Sequence, residues 1–334
     1  MVMMRFLRTA PVMFFCAWTA MSAPQGAAEV FDTGEVRDAM RPLAPDDSCS
    51  HADAVLSYFT FYDIEFPDAR HCFGSLESDT FTLAAHVFMP ESARGTVFLI
   101  HGYYDHVGLH KNTIRVCLDQ HLCVAALDLP GHGLSSGPRA SIDDFSQYSR
   151  ALADLIRFCR PHVPDTYVLV AHSIGCAVAL EYLYSSEDRS IGKAIFLAPG
   201  VRTSYHALSR LGYAIWSPFA ETSPRWFRES SSDEVFVEFQ RTEPLSYDRF
   251  PLCWAKAMYA WQDRFSRYDT LGVSATVIQG TQDDVVDWER SMRLIKEKIP
   301  HVKIVPIPGA RHELMNEAEP MLGEFVGVLR NELE

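Results

Sequence analysis

The stretch Ala171-His-Ser-Ile-Gly175 decides the fold, because it joins an apolar run at 167–170 to an apolar helical pattern at 176–180. A strand that turns sharply into a helix at a serine exposes the hydroxyl at the edge of a sheet. The turn also places backbone N–H groups at a helix N-terminus, where they stabilise developing negative charge. Ser173 is therefore predicted to be a catalytic nucleophile. Ala171 stands where such turns usually have a glycine, which leaves the strain of the turn open.

Two later segments supply partners for this serine. A serine hydroxyl needs a base to take its proton and an acid to orient the base. His312 follows an apolar run at 302–305, and Asp283 follows another at 275–278. The chain order Ser, Asp, His is typical of a serine placed on a strand-to-helix turn. We predict that His312 is the base and Asp283 the acid, with Asp284 and Asp287 as alternatives for the acid.

Short apolar runs alternate with amphipathic segments from residue 95 onward. Near-continuous apolar strands are buried on both faces, and alternation with helices predicts a mostly parallel sheet with crossover helices. A helix is predicted at 142–160, with Ser141 as its N-cap. The predicted strands are residues 96–100, 123–127, 167–170, 194–197, 275–278 and 302–305.

The segment His101-Gly-Tyr-Tyr-Asp-His106 follows the first of these strands. A loop at this position supplies one half of an oxyanion hole, so the backbone N–H groups of Tyr103 and Ile174 are predicted as its donors. His101 and His106 suggest a metal site as an alternative, but no carboxylate cluster stands near them at ligand spacing. The sequence therefore predicts neither a metal nor an organic cofactor.

The alternation breaks between residues 201 and 265, where the chain is aromatic, contains several prolines and has no good strand. We predict a helical cap at 201–265 over the carboxyl edge of the sheet, with the core formed by 81–200 and 266–334. A short segment buries only part of so many aromatic rings within itself, so we expect the remaining rings to line an apolar substrate pocket. The cap residues predicted to line it are Trp216, Phe219, Trp226, Phe227, Phe236 and Phe239.

The N-terminus has two arginines, Arg5 and Arg8, before an apolar stretch at 10–20 and small residues. This pattern predicts a signal peptide at 1–28 and export to the periplasm or medium, with an uncleaved membrane anchor as the alternative. Residues 29–80 form an extension of unknown role. Among the cysteines that remain, Cys49 with Cys72 is the only pairing that we consider, and buried apolar thiols are expected otherwise.

Composition limits the partners. The chain of 334 residues has 43 acidic and 30 basic residues and a formal charge of −13, which argues against nucleic acid as a partner. A hydrophobic share of 48% with 22% charged residues is typical of a globular protein.

The segment Asp128-Leu-Pro-Gly-His-Gly-Leu-Ser-Ser-Gly-Pro-Arg139, together with the motifs around Gly102, Ser173, Asp283 and His312, resembles the monoacylglycerol lipase and lysophospholipase group of α/β-hydrolases. The resemblance covers residues from about 80 to the C-terminus. It implies hydrolysis of a single-chain lipid ester through an acyl-serine intermediate, with a cap insertion that covers the site. The expected partners are this small lipid ester and, through the cap, a transient contact with a membrane surface. It also implies that residues 131–133 form a scaffold turn.

A small-ester esterase or a serine peptidase on the same fold is the alternative, since fold does not fix substrate. A non-catalytic binding protein is a third reading, and it predicts that a member of the Ser, His and Asp set is missing. None is missing here.

Overall fold

The computed structural model of the protein describes residues 30–45, 49–204 and 206–334. The predicted signal peptide therefore lies outside the described residues. Ten strands are present in this part of the chain: β1 (Ala69–Ser78), β2 (Phe81–Pro90), β3 (Gly95–Ile100), β4 (Leu122–Leu127), β5 (Tyr167–His172), β6 (Ile191–Leu197), β7 (Thr222–Pro224), β8 (Arg249–Pro251), β9 (Ser274–Gly280) and β10 (Lys303–Ile307).

Ten α-helices occur among the same residues, and two short 3₁₀ turns at Val107–His110 and Leu314–Asn316 accompany them. None of these helices is long and apolar enough to cross a membrane. The α-helices are α1 (Thr33–Ala39), α2 (Asp53–Tyr62), α3 (Lys111–Asp119), α4 (Phe145–Cys159), α5 (Ile174–Ser185), α6 (His206–Trp216), α7 (Glu234–Thr242), α8 (Leu252–Phe265), α9 (Trp288–Lys298) and α10 (Met321–Leu333).

Eight strands form one sheet in the order β1-β2-β4-β3-β5-β6-β9-β10. The pairs β1–β2 and β2–β4 are antiparallel, and all later neighbours are parallel. Each of the six strands predicted from apolar runs is present, which confirms the predicted α/β class with a mostly parallel sheet. Because parallel strands end at one edge, the loops after β3, β5, β9 and β10 meet there.

Helices cover both faces of the sheet. One buried apolar cluster joins the sheet to α4, α5, α8 and α9, and the other joins it to α1, α2, α3 and α10. Strands β3 and β4 are buried along their whole length. This double coverage explains why these strands are almost continuously apolar in sequence.

The helix predicted to start after Ser141 begins three residues later. Asp144 is its N-cap, accepting from the N–H of Ser146 at 2.8 Å, and Gln147 completes a capping box. The Ser141 hydroxyl instead lies 2.7 Å from the sulfur of Cys253. Serine and aspartate are both good caps, and the glutamine three residues after Asp144 decides between them.

The N-terminal extension is built into the fold. Strand β1 pairs with β2 from Ala69 to Ser78, so the sheet starts within the segment 29–80. Helices α1 and α2 pack in the same apolar cluster as α3 and α10. A disulfide joins Cys49 to Cys72. Of the remaining described cysteines, Cys253 is exposed, and the buried ones are Cys117, Cys123, Cys159 and Cys176.

The segment 201–265 contains three helices and, contrary to the sequence prediction, a small antiparallel sheet. Its strands β7 and β8 pair over three residues, from Thr222–Pro251 to Pro224–Arg249. Proline at one end of each strand and the short length hide them from a search for apolar runs. Helix α8 lies against the sheet domain, where Trp261 is fully buried and its indole N–H donates to Glu181 Oε2 at 3.1 Å.

Candidate active site

Ser173 lies on the sharp turn between β5 and α5. Its backbone has φ 52° and ψ −119°, a conformation that L-residues rarely adopt, so the turn is strained although Ala171 replaces the usual glycine. Gly175 is required by close packing, since a Cβ there would lie 2.5 Å from the carbonyl oxygen of His101. The turn thus holds the Ser173 hydroxyl at the carboxyl edge of the sheet.

His312 and Asp283 are in contact with this serine through one chain of hydrogen bonds. His312 Nε2 lies 2.8 Å from Ser173 Oγ, and His312 Nδ1 lies 2.8 Å from Asp283 Oδ2. All three residues are buried. The structure therefore brings the sequence-predicted residues together, although Ser173 is more than one hundred positions from both partners in the chain.

Asp283 is held in place by further donors. Its carboxylate accepts from the backbone N–H of Val285 at 2.9 Å and of Val286 at 3.2 Å, and from Gln279 Nε2 at 3.1 Å. Burial alone would raise the pKa of Asp283, but the charge and hydrogen bond of His312 and the amide donors hold it below the ordinary value. The carboxylate is therefore ionised beside the imidazole.

The two alternative acids lie elsewhere. Asp284 is exposed, and Asp287 caps α9 by accepting from the N–H of Arg290 at 3.1 Å. Neither carboxylate has a hydrogen bond to His312 among the described contacts. Asp283 alone has the geometry that orients the base.

The loop after β3 approaches Ser173 from the other side. Its position is fixed by Gly102, where a Cβ would lie 3.1 Å from that of Ser173. The Tyr103 ring stacks on Trp254 with centroids 3.9 Å apart, and its hydroxyl donates to the carbonyl of Ala140 at 2.8 Å. Within the described part of the chain, the N–H groups of Tyr103 and Ile174 have no hydrogen-bond partner, so both are free to donate to an oxyanion.

The two histidines weighed as metal ligands have structural contacts. His101 Nε2 accepts from the N–H of Leu129 at 2.8 Å, and burial holds the pKa of His101 well below its ordinary value. His106 Nδ1 accepts from the N–H of Gly108 at 3.2 Å. These contacts fix the loop that carries Tyr103.

Sequence reasoning missed a second polar cluster beneath the turn, formed by Asp105, His110 and His172. Each offers one potential ligand atom within 4.8 Å of the others, the one such group among the described residues. The atoms are already hydrogen-bonded to one another, with His110 Nε2 2.8 Å and His172 Nδ1 3.4 Å from Asp105 Oδ2. The available signal was that Asp105 lies in the loop after β3 and His172 is the last residue of β5, two strands that end at the same edge of the sheet.

The segment expected to be a scaffold turn has that role in the structure. The Asp128 carboxylate accepts from the N–H groups of Val107 and Leu134, at 2.9 and 2.8 Å. Gly131 and Gly133 have positive φ, and a Cβ at Gly133 would lie 2.1 Å from Asp128 Oδ2. The glycines let this turn close around a buried carboxylate.

A cavity of about 700 Å³ opens over Ser173 and His312 between the sheet domain and the cap. Its lining includes the polar residues Arg225, Ser230, Gln240 and Glu313, here called the polar wall. It also includes the apolar residues Ile174, Leu208, Trp254, Met258, Val285 and Val286, here called the apolar wall.

The six cap aromatics predicted to line the pocket have different positions. Trp226 borders this cavity while 90% exposed, and Trp216 borders an adjoining one of about 410 Å³. Phe219 is 82% exposed, and Phe227 lies between the guanidinium groups of Arg225 and Arg241. Phe236 and Phe239 pack instead against the cluster that contains α1 and α2.

The expected pocket lining is therefore wrong for four of these six residues. Aromatic content alone does not tell whether a ring contacts the substrate, another domain or solvent, because that choice depends on long-range packing.

The sheet order and the strained serine turn define an α/β-hydrolase. The Hydrolase_4 family, described as serine aminopeptidase S33, matches residues 91–319, and the chain belongs to this family. The resemblance to the monoacylglycerol lipase group is confirmed by its relatives. The Mycolicibacterium smegmatis monoacylglycerol lipase is 25% identical over 71% of this chain and 88% of its own length. The human monoglyceride lipase is 24% identical over 67% of this chain and 77% of its own.

Solved structures show the same fold. A monoacylglycerol lipase from Paleococcus ferrophilus superposes with a TM-score of 0.65 and 22% identity, over 75% of this chain and 98% of the other. A soluble variant of the Saccharomyces cerevisiae monoglyceride lipase, solved with a substrate analogue, gives a TM-score of 0.67 and 15% identity over 78% and 94%.

Proposed function

We propose that the protein hydrolyses the carboxylic ester of a single-chain lipid, with a monoacylglycerol as the preferred substrate. The observation that carries this proposal is the hydrogen-bonded set Ser173, His312 and Asp283 beside a cavity that is lined by both polar and apolar side chains. The monoacylglycerol and monoglyceride lipases among its relatives support the same substrate class.

In the proposed mechanism Ser173 Oγ attacks the ester carbonyl carbon while its proton moves to His312 Nε2. The N–H groups of Tyr103 and Ile174 donate to the oxyanion that forms. When the carbon–oxygen bond breaks, His312 gives the proton to the leaving alcohol and the acyl group stays on Ser173. Water, deprotonated by His312, then releases the fatty acid and restores the serine. Asp283 keeps the imidazole oriented throughout.

The cavity walls suggest how the substrate is oriented. His312 protonates the leaving alcohol, so the alcohol lies on the His312 side of the cavity. The polar wall is joined to that side because the carbonyl of Ser230 accepts from the N–H groups of His312 at 3.0 Å and Glu313 at 2.9 Å. A glycerol moiety with free hydroxyls suits Glu313 and Arg225, while the acyl chain suits the apolar wall.

Chain-length selectivity tests this orientation. Each buried CH₂ contributes ~0.8 kcal/mol, so four more carbons raise kcat/KM by roughly 200-fold until the cavity is full. We expect this rise for monoacylglycerols assayed below their critical micelle concentrations. Leu208→Trp, on the apolar wall, should shift the optimum to shorter chains. Leu211→Trp, on the same helix and outside the cavity, is the matched control.

A flat dependence on chain length, or a preference for acetyl esters, would favour the small-ester esterase instead. The family description also favours an aminopeptidase as a second candidate. The carboxylate of Glu313 borders the cavity and suits a substrate α-ammonium group. Release of amine from aminoacyl p-nitroanilides by wild-type protein, with no release of fatty acid from monoacylglycerols or lysophospholipids, would support that candidate.

A serine-reactive fluorophosphonate probe separates an enzyme from a non-catalytic binding protein. We expect the probe to label the folded wild-type protein and to leave Ser173→Ala unlabelled. A folded wild-type protein without label would favour the binding protein.

The cap is proposed to touch lipid aggregates while the substrate enters. Helix α6 and the turn that follows it expose a row of apolar side chains. Leu211 is 57% exposed, Trp216 63% and Phe219 82%. An exposed apolar patch of this kind is typical of an interaction site. Replacing Trp216 and Phe219 by serine should weaken sedimentation with phosphatidylglycerol vesicles, without changing kcat/KM on a monomeric short-chain ester.

We also propose that the protein works outside the cytoplasm. The charged and then apolar leader has the pattern of a signal peptide, and cleavage after Ser22 or Ala28 would follow small residues. N-terminal sequencing of protein from the fractionated native host is the test. An intact Met1 in the soluble cytoplasmic fraction would contradict it.

A further inference from the structure

Asp105 lies at the centre of a buried polar cluster that is separate from the Ser173, His312 and Asp283 set. The carboxylate is 3% exposed and accepts from the backbone N–H of Gly102 at 2.9 Å and of His106 at 2.7 Å. It also accepts from His110 Nε2 at 2.8 Å and faces His172 Nδ1 at 3.4 Å. One side chain therefore fixes both a loop and the residue before the nucleophile.

These contacts reach two parts of the active site. Gly102 directly precedes Tyr103, so the Gly102 hydrogen bond restrains the next peptide, whose N–H is the proposed oxyanion donor. On the other side, His172 Nε2 lies 3.3 Å from the carbonyl oxygen of His312, and the two rings have centroids 5.0 Å apart. The chain Asp105–His172–His312 thus joins the oxyanion loop to the loop of the base.

We propose that Asp105, acting through His172, is a positioning residue that aligns the Tyr103 N–H and the His312 imidazole with Ser173 at the same time. The proposal rests on the proposed function, since it presumes a serine that attacks an acyl group. Alignment of this kind is decisive, because a misplacement of about 1 Å can lower a rate by about 100-fold.

The contacts of His172 favour a doubly protonated ring. Both ring nitrogens face acceptors, a carboxylate oxygen of Asp105 and the carbonyl oxygen of His312, and only the doubly protonated ring donates to both. The titratable groups that face this ring are Asp105, Glu313, His110 and His312. Burial lowers the pKa of His172, but the carboxylates of Glu313 and Asp105 outweigh it and raise the pKa to about 9.

A fixed imidazolium next to the nucleophile has a measurable consequence. As the pH rises through about 9, His172 loses a proton and with it one of its two hydrogen bonds. We therefore expect kcat/KM of the wild-type protein to fall on the alkaline side near that pH.

The test compares Asp105→Asn and His172→Gln with the control Asp128→Asn. The control neutralises an equally buried carboxylate that also accepts from two backbone N–H groups but contacts neither Gly102 nor His172. We expect both test variants to lower kcat by 10- to 100-fold, in line with the loss of about one aligned contact at the transition state, with little change in KM. The alkaline fall near pH 9 should disappear in His172→Gln and persist in the control.

Rates of fluorophosphonate labelling are measured in parallel, since labelling requires Ser173 and its alignment but not the natural ester. Wild-type kcat and labelling rates in Asp105→Asn would overturn the proposal. An equal loss in Asp105→Asn and Asp128→Asn, with an unchanged pH profile in all variants, would overturn it as well. A wild-type protein that is labelled but hydrolyses no lipid ester refutes the substrate class only, and the labelling rates then decide on Asp105.

Discussion

Glu243 contacts three parts of the protein that are distant in sequence, and its replacement should lower the free energy of unfolding. Its carboxylate accepts from the Tyr62 hydroxyl of the N-terminal extension at 2.6 Å and from the N–H of Leu245 at 2.7 Å. His106, from the loop after β3, has Nε2 at 3.5 Å. The side chains of His106 and Glu243 are 1% and 2% exposed. The extension, the oxyanion loop and the cap therefore share one buried carboxylate.

The magnitudes follow from these contacts. Tyr62→Phe removes a hydrogen bond to a charged acceptor, which typically contributes about 1.5–3 kcal/mol. Glu243→Gln breaks a buried pair by removing one partner, which costs about 3–5 kcal/mol when the other charge remains. At ~2 °C per kcal/mol for a chain of this size, Tm should fall by about 3–6 °C and about 6–10 °C respectively.

The sign of the pH dependence of this stabilisation follows from the pKa shifts of His106 and Glu243. Burial lowers the pKa of His106, but the interaction with Glu243 outweighs burial and raises the pKa overall. The stability that protonated His106 contributes is therefore complete below about pH 6.5 and is lost as the pH rises through the raised pKa. Burial raises the pKa of Glu243, but the electrostatic interaction with His106 and the hydrogen bond from Tyr62 outweigh it and lower the pKa overall. That contribution is present above about 4.5 and is lost as pH falls through the lowered value. The Tm loss in Glu243→Gln should therefore be larger near pH 5.5 than near pH 9.

Thermal unfolding followed by intrinsic fluorescence at both pH values is the assay. Glu238→Gln is the matched control, because it removes the same charge from α7, the helix that Glu243 directly follows, at a side chain that is 73% exposed. A Glu243→Gln protein as stable as the wild type at both pH values, or no more affected than Glu238→Gln, would refute the reasoning.

Three further predictions concern single positions. Ser173→Ala should lower kcat in steady-state assays by several orders of magnitude with an unchanged fold, and Asp283→Asn should also lower kcat strongly. An Asp283→Asn protein with wild-type kcat would contradict the role of Asp283. Gly175→Ala should reduce the yield of folded protein, measured by circular dichroism and solubility, because its Cβ would lie 2.5 Å from a carbonyl oxygen. Cys49→Ser should lower the free energy of unfolding in urea by ~3 kcal/mol, since its disulfide closes a separation of 23 residues, and no change would contradict this.

The sheet and the catalytic candidates could be predicted because their signals are local. Apolar runs such as 123–127 and 167–170 have the length and composition of strands buried on both faces, and the structure has strands there. Strand β1 escaped detection because it lies at the edge, where exposed and buried positions mix, and its polar residues Arg70 and Glu77 interrupt any apolar run. A polar edge strand and a surface segment have similar sequences.

The sequence alone does not predict which other side chains each cap residue contacts in the fold. Nothing local distinguishes Phe239, which contacts Phe61 of the extension at 5.6 Å between centroids, from Trp226, which borders the cavity. The Asp105–His172 contact spans 67 positions and pairs two residue types that are common in loops. Only the strand order brings them together, and the sequence does not state that order.

Two aspartate–histidine pairs flank Ser173, and the difference between them explains why both are present. His312 has one nitrogen on Asp283 and the other on the serine hydroxyl, a partner whose proton must move in each turnover. His172 has one nitrogen facing Asp105 and the other facing a backbone carbonyl, and neither acceptor exchanges protons in the reaction. Proton transfer by His312 requires that its imidazole keep a constant position relative to Ser173. The backbone carbonyl that His172 contacts belongs to His312 itself. In the proposed mechanism the first pair performs the proton transfer, and we propose that the second pair holds the geometry of the first constant.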